Sequence, residues 1–252
     1  MASFVEYLLT ARFDAVSHVL EGITATSVFD TDPLRERLTK LLGGTSIKRT
    51  GVRLAINTVD VRTGGVIRIV NYEPKKRSAR AAAHYRYHPE ITVDMVLASS
   101  SIPLLFNPVN VGNELLWDGG LLVNTPIAPA VALGAHRIIP VLVTAGGAGT
   151  PADVPNFGVA VERLADAFLE NAYVTDRKLL LDRNALVGKK PGDDLRAVEL
   201  FEAIRPETSR AFNAGSYLYF ERNALLSMYD AGRKAAFDWL ARGPVVDQDS
   251  SI

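Results

Sequence analysis

Residues 95–124 read MVLASSSIPLLFNPVNVGNELLWDGGLLVN, and the fold turns on how this stretch is read. Its sharpest point is Asp118-Gly119-Gly120, a carboxylate at the end of the apolar run Leu115-Leu116-Trp117. One reading is a strand-end Asp-Gly turn with no chemistry. The other is a general base. A carboxylate set against Trp and Leu has its pKa raised by desolvation, and two glycines let backbone or substrate approach it closely. The residues around the motif decide between these readings.

Upstream of the motif, a short helix over VDMVLASSS follows Thr92 and should end before Ile102-Pro103, because the residue preceding proline disfavours helix. Leu104–Phe106 and Glu114–Trp117 read as short extended pieces. Downstream, Pro126 opens a helix of small residues that stops near Gly134, and Arg137–Thr144 (RIIPVLVT) reads as a buried strand. Strand, helix and strand in that order predict a βαβ-like crossover and an α/β layered domain. Farther upstream, residues 52–60 and 65–71 form a predicted antiparallel hairpin around Arg62-Thr63-Gly64-Gly65. Before it lies a leucine helix with Asp32 as N-cap, Pro33 in its first turn and Gly43-Gly44 as its stop. Residues 4–20 carry a helical apolar spacing (Val5, Leu8, Leu9, Phe13, Val16, Leu20), so the chain opens on a helix with no leading strand.

The remaining segments carry weaker signals. Residues 73–88 are basic with Tyr85 and Tyr87, read as a solvated loop, with a patch for anionic headgroups as the alternative. Ala145–Pro155 contains Gly147-x-Gly149-x-x-Ala152, nominally a dinucleotide fingerprint. Pro151 and Pro155 interrupt the place where a phosphate-facing helix should begin, so the segment reads as a surface loop. A long helix over 156–183, a strand within 195–204, a helix over about 220–241 and a frayed tail VVDQDSSI complete the chain.

Composition narrows the function classes. The 252 residues carry 28 basic and 28 acidic side chains, with none of the basic excess of nucleic-acid binders, so no nucleic-acid partner is expected. The absence of cysteine excludes disulfides, thiolate metal sites and cysteine nucleophiles. His18, His84, His88 and His136 show no metal-binding spacing beyond the four-residue step from His84 to His88, and neither a metal nor a cofactor is expected. Glu6, Arg12 and Asp14 break any secretory h-region, and no apolar run approaches the roughly 20 residues of a membrane helix. The expectation is a soluble, cytoplasmic protein, with peripheral membrane contact left open.

Several ordered elements together are similar to one family. Ala98-Ser99-Ser100-Ser101-Ile102-Pro103, Phe106-x-Pro108-Val109, Asp118-Gly119-Gly120 and Asn124-x-Pro126 resemble the patatin-like phospholipases at similar spacing. So do Asp32-Pro33-Leu34, Arg53-Leu54-Ala55-Ile56 with its Thr63-Gly64 turn, and Gly134-Ala135-His136-Arg137-Ile138-Ile139. The resemblance implies a three-layer patatin-like α/β sandwich related to the α/β hydrolases, and hydrolysis of lipid acyl esters by a Ser–Asp dyad. Asp118 falls at the position of the general base, with Gly119, Gly120, Asn124 and Pro103 as supporting site residues and a lipid or acyl ester as substrate. In that scheme a serine on a Gly-x-Ser-x-Gly elbow attacks the ester carbonyl, and a glycine-rich loop holds the oxyanion.

The departure from this pattern is large. None of the 252 residues forms a Gly-x-Ser-x-Gly, and no glycine-rich oxyanion loop follows a first strand. The nearest approach, Gly44-Thr45-Ser46-Ile47, has Lys48 where glycine is needed and sits at a helix exit. The sandwich is therefore expected to lack its first strand and its nucleophile elbow. Residues 1–145 read as a partial patatin-like domain, and residues 146–252 as a mainly helical region completing or capping it. Such a chain should expose strand edges and apolar surface. The leading expectation is a lipid acyl hydrolase whose chain is truncated and inactive alone. A catalytically dead binding or scaffold module is the alternative, and a nucleotide-binding protein using residues 145–152 is a third reading that the prolines oppose.

Overall fold

The predicted hairpin forms because its turn satisfies its own polar groups. The Asp60 carboxylate accepts from Arg62 N–H at 3.1 Å and Thr63 Oγ1 at 2.8 Å, and Gly64 takes φ 67°, which glycine adopts without steric cost. The computed structural model describes residues 27, 29–48, 51–74, 82–143, 157–189, 196–207 and 221–247. The elements are α1 (Asp32–Leu42), β1 (Ser46–Ile47), β2 (Ala55–Asp60), β3 (Val66–Val70), β4 (Tyr85–Tyr87), β5 (Ile91–Thr92), α2 (Val93–Ala98), β6 (Val109–Val111) and β7 (Glu114–Asp118). A single 3-10 turn (Gly119–Leu121) leads to α3 (Ile127–Ala132), β8 (Arg137–Ile138), α4 (Phe157–Asn184), β9 (Glu199–Leu200) and α5 (Arg222–Arg242). The helix expected over 4–20 and the loop over 145–155 lie outside the described residues.

The central sheet runs β4-β3-β2-β7-β6, with β3–β4 parallel and the other pairs antiparallel. Register divides its side chains cleanly between two faces. Ile56, Ile67, Ile69, Val109, Val111 and Leu116 meet Val93, Met95 and Leu97 of α2 on one face. Val70 and Tyr85 on the other face meet Ala132 and Leu133 at the end of α3. Helix, mixed sheet and helix form the three layers of an α/β sandwich.

Three expectations change. Tyr85–Tyr87 is a strand, not solvated loop: His88 N–H donates to the Val70 carbonyl and Arg68 N–H to the His84 carbonyl, closing β4 onto β3, while Arg86 reaches across the sheet to Glu114 of β7. Pro103–Leu105 is a turn with Leu104 at φ 71° and Phe106 forms a single parallel bridge with Phe29, while the regular extended piece is Val109–Val111, which pairs with β7 around Gly112. Of the strand expected over 137–144, the described residues 137–143 are regular only at Arg137–Ile138. This short strand pairs in parallel with β9 in a separate two-stranded sheet, so the expected crossover does not return to the sheet of β7. Residues 138, 140 and 142 turn toward 199–204 and α4, whereas Ile139, Val141 and Val143 are exposed.

Smaller corrections concern the ends. Thr31 caps α1 in place of Asp32, whose N–H is held by Asp30 Oδ1 at 3.0 Å, and Gly43 closes the helix in the left-handed region at φ 66°. The C-terminal tail is pinned at its start: Glu202 N–H donates to the Val245 carbonyl and Asp247 N–H to the Leu200 carbonyl. Arg177 of α4 clasps Asp247 through bonds of 2.6 and 2.5 Å.

Candidate active site

Three segments converge on Asp118. The first is the end of α2, started by Thr92, whose hydroxyl accepts from Met95 N–H at 3.3 Å. Ser101 carries its carbonyl to Asp118 N–H at 3.0 Å, which sets Ile102-Pro103 beside the strand end. The second is β2, with Thr58 directly opposite Asp118. The third is the 3-10 turn that carries the chain off β7 and over β2.

Gly119 makes that crossing possible. A β-carbon there would stand 2.5 Å from the carbonyl carbon and oxygen of Asn57 and 2.7 Å from its Cβ, so the turn lies directly on the strand backbone. Gly120 plays a different part. Its N–H donates to Asp118 Oδ1 at 2.8 Å, and a β-carbon on it would meet Asp118 Oδ1 at 3.2 Å and Asn124 Oδ1 at 3.3 Å. Asp118, Gly119, Gly120 and Asn124 are thus one cluster, with Pro103 two residues from the Ser101 carbonyl that anchors it.

Burial pushes the Asp118 carboxyl above its ordinary value, and the Gly120 N–H, which favours the ionised form, opposes this more weakly. The apolar wall is not Trp117. Neighbouring residues of a strand point to opposite faces, so Trp117 lies opposite Val59 on the far side of the sheet, and Leu116 shares the face of Asp118. Asp118 forms no ion pair among the described residues. Oδ1 is held by Gly120, which leaves Oδ2 to take a proton.

The serines nearby are occupied. Ser99 Oγ donates to the Val96 carbonyl at 2.8 Å, and Ser100 and Ser101 donate to the Leu97 carbonyl at 3.1 and 2.8 Å. Ser101 has no solvent exposure. Ser46 lies in β1 opposite Thr92, with its hydroxyl 3.3 Å from Glu90 Oε2, and not on a strand-turn-helix elbow. No group of three or more His, Asp or Glu side chains suited to a metal occurs among the described residues, and His84 Nδ1 sits 3.1 Å from the Val66 carbonyl.

The family model for patatin-like phospholipase matches residues 2–131, just over half of the 252. The chain belongs to the patatin-like phospholipase family. That match spans all three segments that meet at Asp118. No curated protein matched the chain in comparison. As a patatin-like protein, the chain carries the mixed sheet between helical layers that the sequence motifs implied, and the family acts on lipid esters. No helix among the described residues is long and apolar enough to cross a membrane.

One residue of this site escaped the sequence reading. Asn57, 9% exposed beneath Gly119, has neither amide atom hydrogen-bonded among the described residues. Its only sequence signal is a carboxamide inside the apolar strand Ile56-Asn57-Thr58-Val59.

Proposed function

We propose that this chain carries the general base of a lipid acyl hydrolase, Asp118, and that the 252 residues alone hydrolyse no ester at an appreciable rate. The observation that supports the base is the Asp118 carboxyl itself: raised by burial, oriented through Oδ1 by the Gly120 N–H, and unpaired at Oδ2. A carboxyl poised above its ordinary value is better matched to accepting a proton from a hydroxyl nucleophile. What limits the chain is the nucleophile. No Gly-x-Ser-x-Gly occurs in the sequence, and the serines adjoining Asp118 bond to helix carbonyls.

Two measurements test the two halves separately. Carbon-13 titration of the Asp118 carboxyl should give a midpoint above the ordinary aspartate value; an ordinary midpoint refutes the base assignment. Incubation with p-nitrophenyl butyrate and a fluorophosphonate probe should give background turnover and no labelled serine. Saturable turnover that Asp118→Asn abolishes refutes the inactivity. The alternative, a catalytically dead module that keeps the acyl site for binding, separates from the first reading by the reading frame upstream of Met1. An in-frame Gly-x-Ser-x-Gly there favours the hydrolase.

A further inference from the structure

The buried polar atoms that lack a partner among the described residues are not scattered. Asn57, Arg68 and Trp117 hold four of them: Nδ2 and Oδ1 of Asn57, Nε of Arg68 and Nε1 of Trp117. All three residues lie on one face of the central sheet. Asn57 is directly opposite Arg68 across β2 and β3, and Trp117 stands opposite Val59, two residues along β2 on the same side. They form a transverse row over three adjacent strands, in which diagonal neighbours are about 7–8 Å apart and within reach of long side chains.

Each buried group left without a partner costs roughly 1–3 kcal/mol, and native interiors hold few of them. Three of the four atoms are donors. Arg68 adds a positive charge that no carboxylate pairs with among the described residues; its guanidinium rests over the Tyr85 ring, 5.6 Å from the centroid. That placement fixes the guanidinium plane without neutralising it. Asn57 is the buried floor of the row, and Arg68 and Trp117 are half-buried as residues while their orphan Nε and Nε1 atoms face inward. Donors without acceptors, an unneutralised guanidinium and an indole N–H suit an acceptor-rich anion. Donors arriving from three strands suit a group with several terminal oxygens, and guanidinium forks match phosphate geometry.

We propose that Asn57, Arg68 and Trp117 form a phosphate-class oxyanion site on the sheet face opposite α2. The occupant is either free phosphate or the phosphoryl group of a lipid, the same chemistry from two sources. By strand alternation the site lies across the sheet from the Asp118 side chain, so the anion binds beside the Asp-Gly-Gly turn without touching its carboxylate.

The two tryptophans supply the test. Trp239 Nε1 donates to the Glu202 carbonyl at 2.9 Å and serves as an internal reference, whereas Trp117 Nε1 has no acceptor. In a nitrogen-15 correlation spectrum at constant ionic strength, inorganic phosphate should move the Trp117 indole peak, identified by its loss in Trp117→Phe, and the movement should saturate. The Trp239 peak should stay in place. Arg68→Gln should weaken binding at least tenfold, and Arg68→Lys, which keeps the charge but loses the fork, should weaken it less; unshifted spectra of the free variants confirm their fold. Dihexanoyl phosphatidic acid below its micelle concentration binding at least tenfold tighter than phosphate supports the lipid source, and equal affinity supports free phosphate. The proposal is overturned if the Trp117 peak stays still, if both indole peaks move together, if Arg68→Gln leaves the isotherm unchanged, or if acetate binds as tightly as phosphate.

Discussion

Replacing Gly119 with alanine should damage the protein through geometry alone. The added methyl would lie 2.5 Å from the Asn57 carbonyl carbon and oxygen, which are backbone atoms of a central strand and cannot rotate aside. Relief requires the turn to lift off β2, and that pulls on the Thr58–Asp118 pair at the end of the β2–β7 ladder. Overpacking of this kind costs about 1–3 kcal/mol. Alanine also restricts the unfolded chain, which returns about 0.4–1 kcal/mol. The net expectation is a loss of about 1.3 kcal/mol, or about 3–5 °C in Tm for a chain of this size. Gly120→Ala is the matched control. Its methyl would meet only the Asp118 and Asn124 side-chain oxygens at 3.2 and 3.3 Å, which can give way, so its stability should stay within about 0.5 kcal/mol of the parent. Urea unfolding followed by circular dichroism measures both, with the midpoint moving and the slope unchanged. A Gly119→Ala protein as stable as the parent, or less perturbed than Gly120→Ala, refutes the account of a turn lying on the β2 backbone.

Three further outcomes are expected. Because the folded state raises the Asp118 pKa, it holds a proton to higher pH than the unfolded chain, and stability falls as pH rises from 3.8 through the folded value. Asp118→Asn should therefore have the higher Tm at pH 7 and lose that advantage below pH 3.8; equal melting at pH 7 counts against the burial. Leu104, at φ 71° and 79% exposed, has little packing to lose, so Leu104→Gly should gain about 0.5–1 kcal/mol in chemical denaturation, the left-handed penalty less the entropy of glycine. The Arg177 and Asp247 side chains are 10% and 12% exposed, so Asp247→Ala should cost about 3–5 kcal/mol by removing the buried carboxylate that Arg177 clasps. Arg177→Met with Asp247→Leu should recover most of that loss, and a neutral Asp247→Ala refutes the clasp.

How much was legible beforehand depends on the range of the interaction that decides each element. The β2–β3 hairpin, the stop of α1 at Gly43 and the cap of α2 at Thr92 rest on residues within a few positions of one another, so local chemistry states them in the sequence. The family, too, is written in short ordered motifs, and Asp118-Gly119-Gly120 stands out as one of them. Tyr85–Tyr87 was opaque because its strand exists only through pairing with Arg68–Val70 of β3. The C-terminal segment looked like a tail because its anchor, Arg177, is seventy residues away. Residues 137–143 carry a buried-strand composition, but composition does not say which edge will pair. The structure gives them one ladder and leaves Ile139, Val141 and Val143 exposed.

The same division holds at the site. The sequence alone determined the carboxylate, the two glycines after it, and the absence of a Gly-x-Ser-x-Gly. Only the tertiary structure decided why the first glycine is there, since the atoms that exclude a side chain belong to Asn57, sixty-two residues earlier. It also decided that Trp117, adjacent in sequence, stands across the sheet from Asp118, and that Asn57, Arg68 and Trp117 share one face. Strand register sets both, and register is a property of paired strands that no single segment contains.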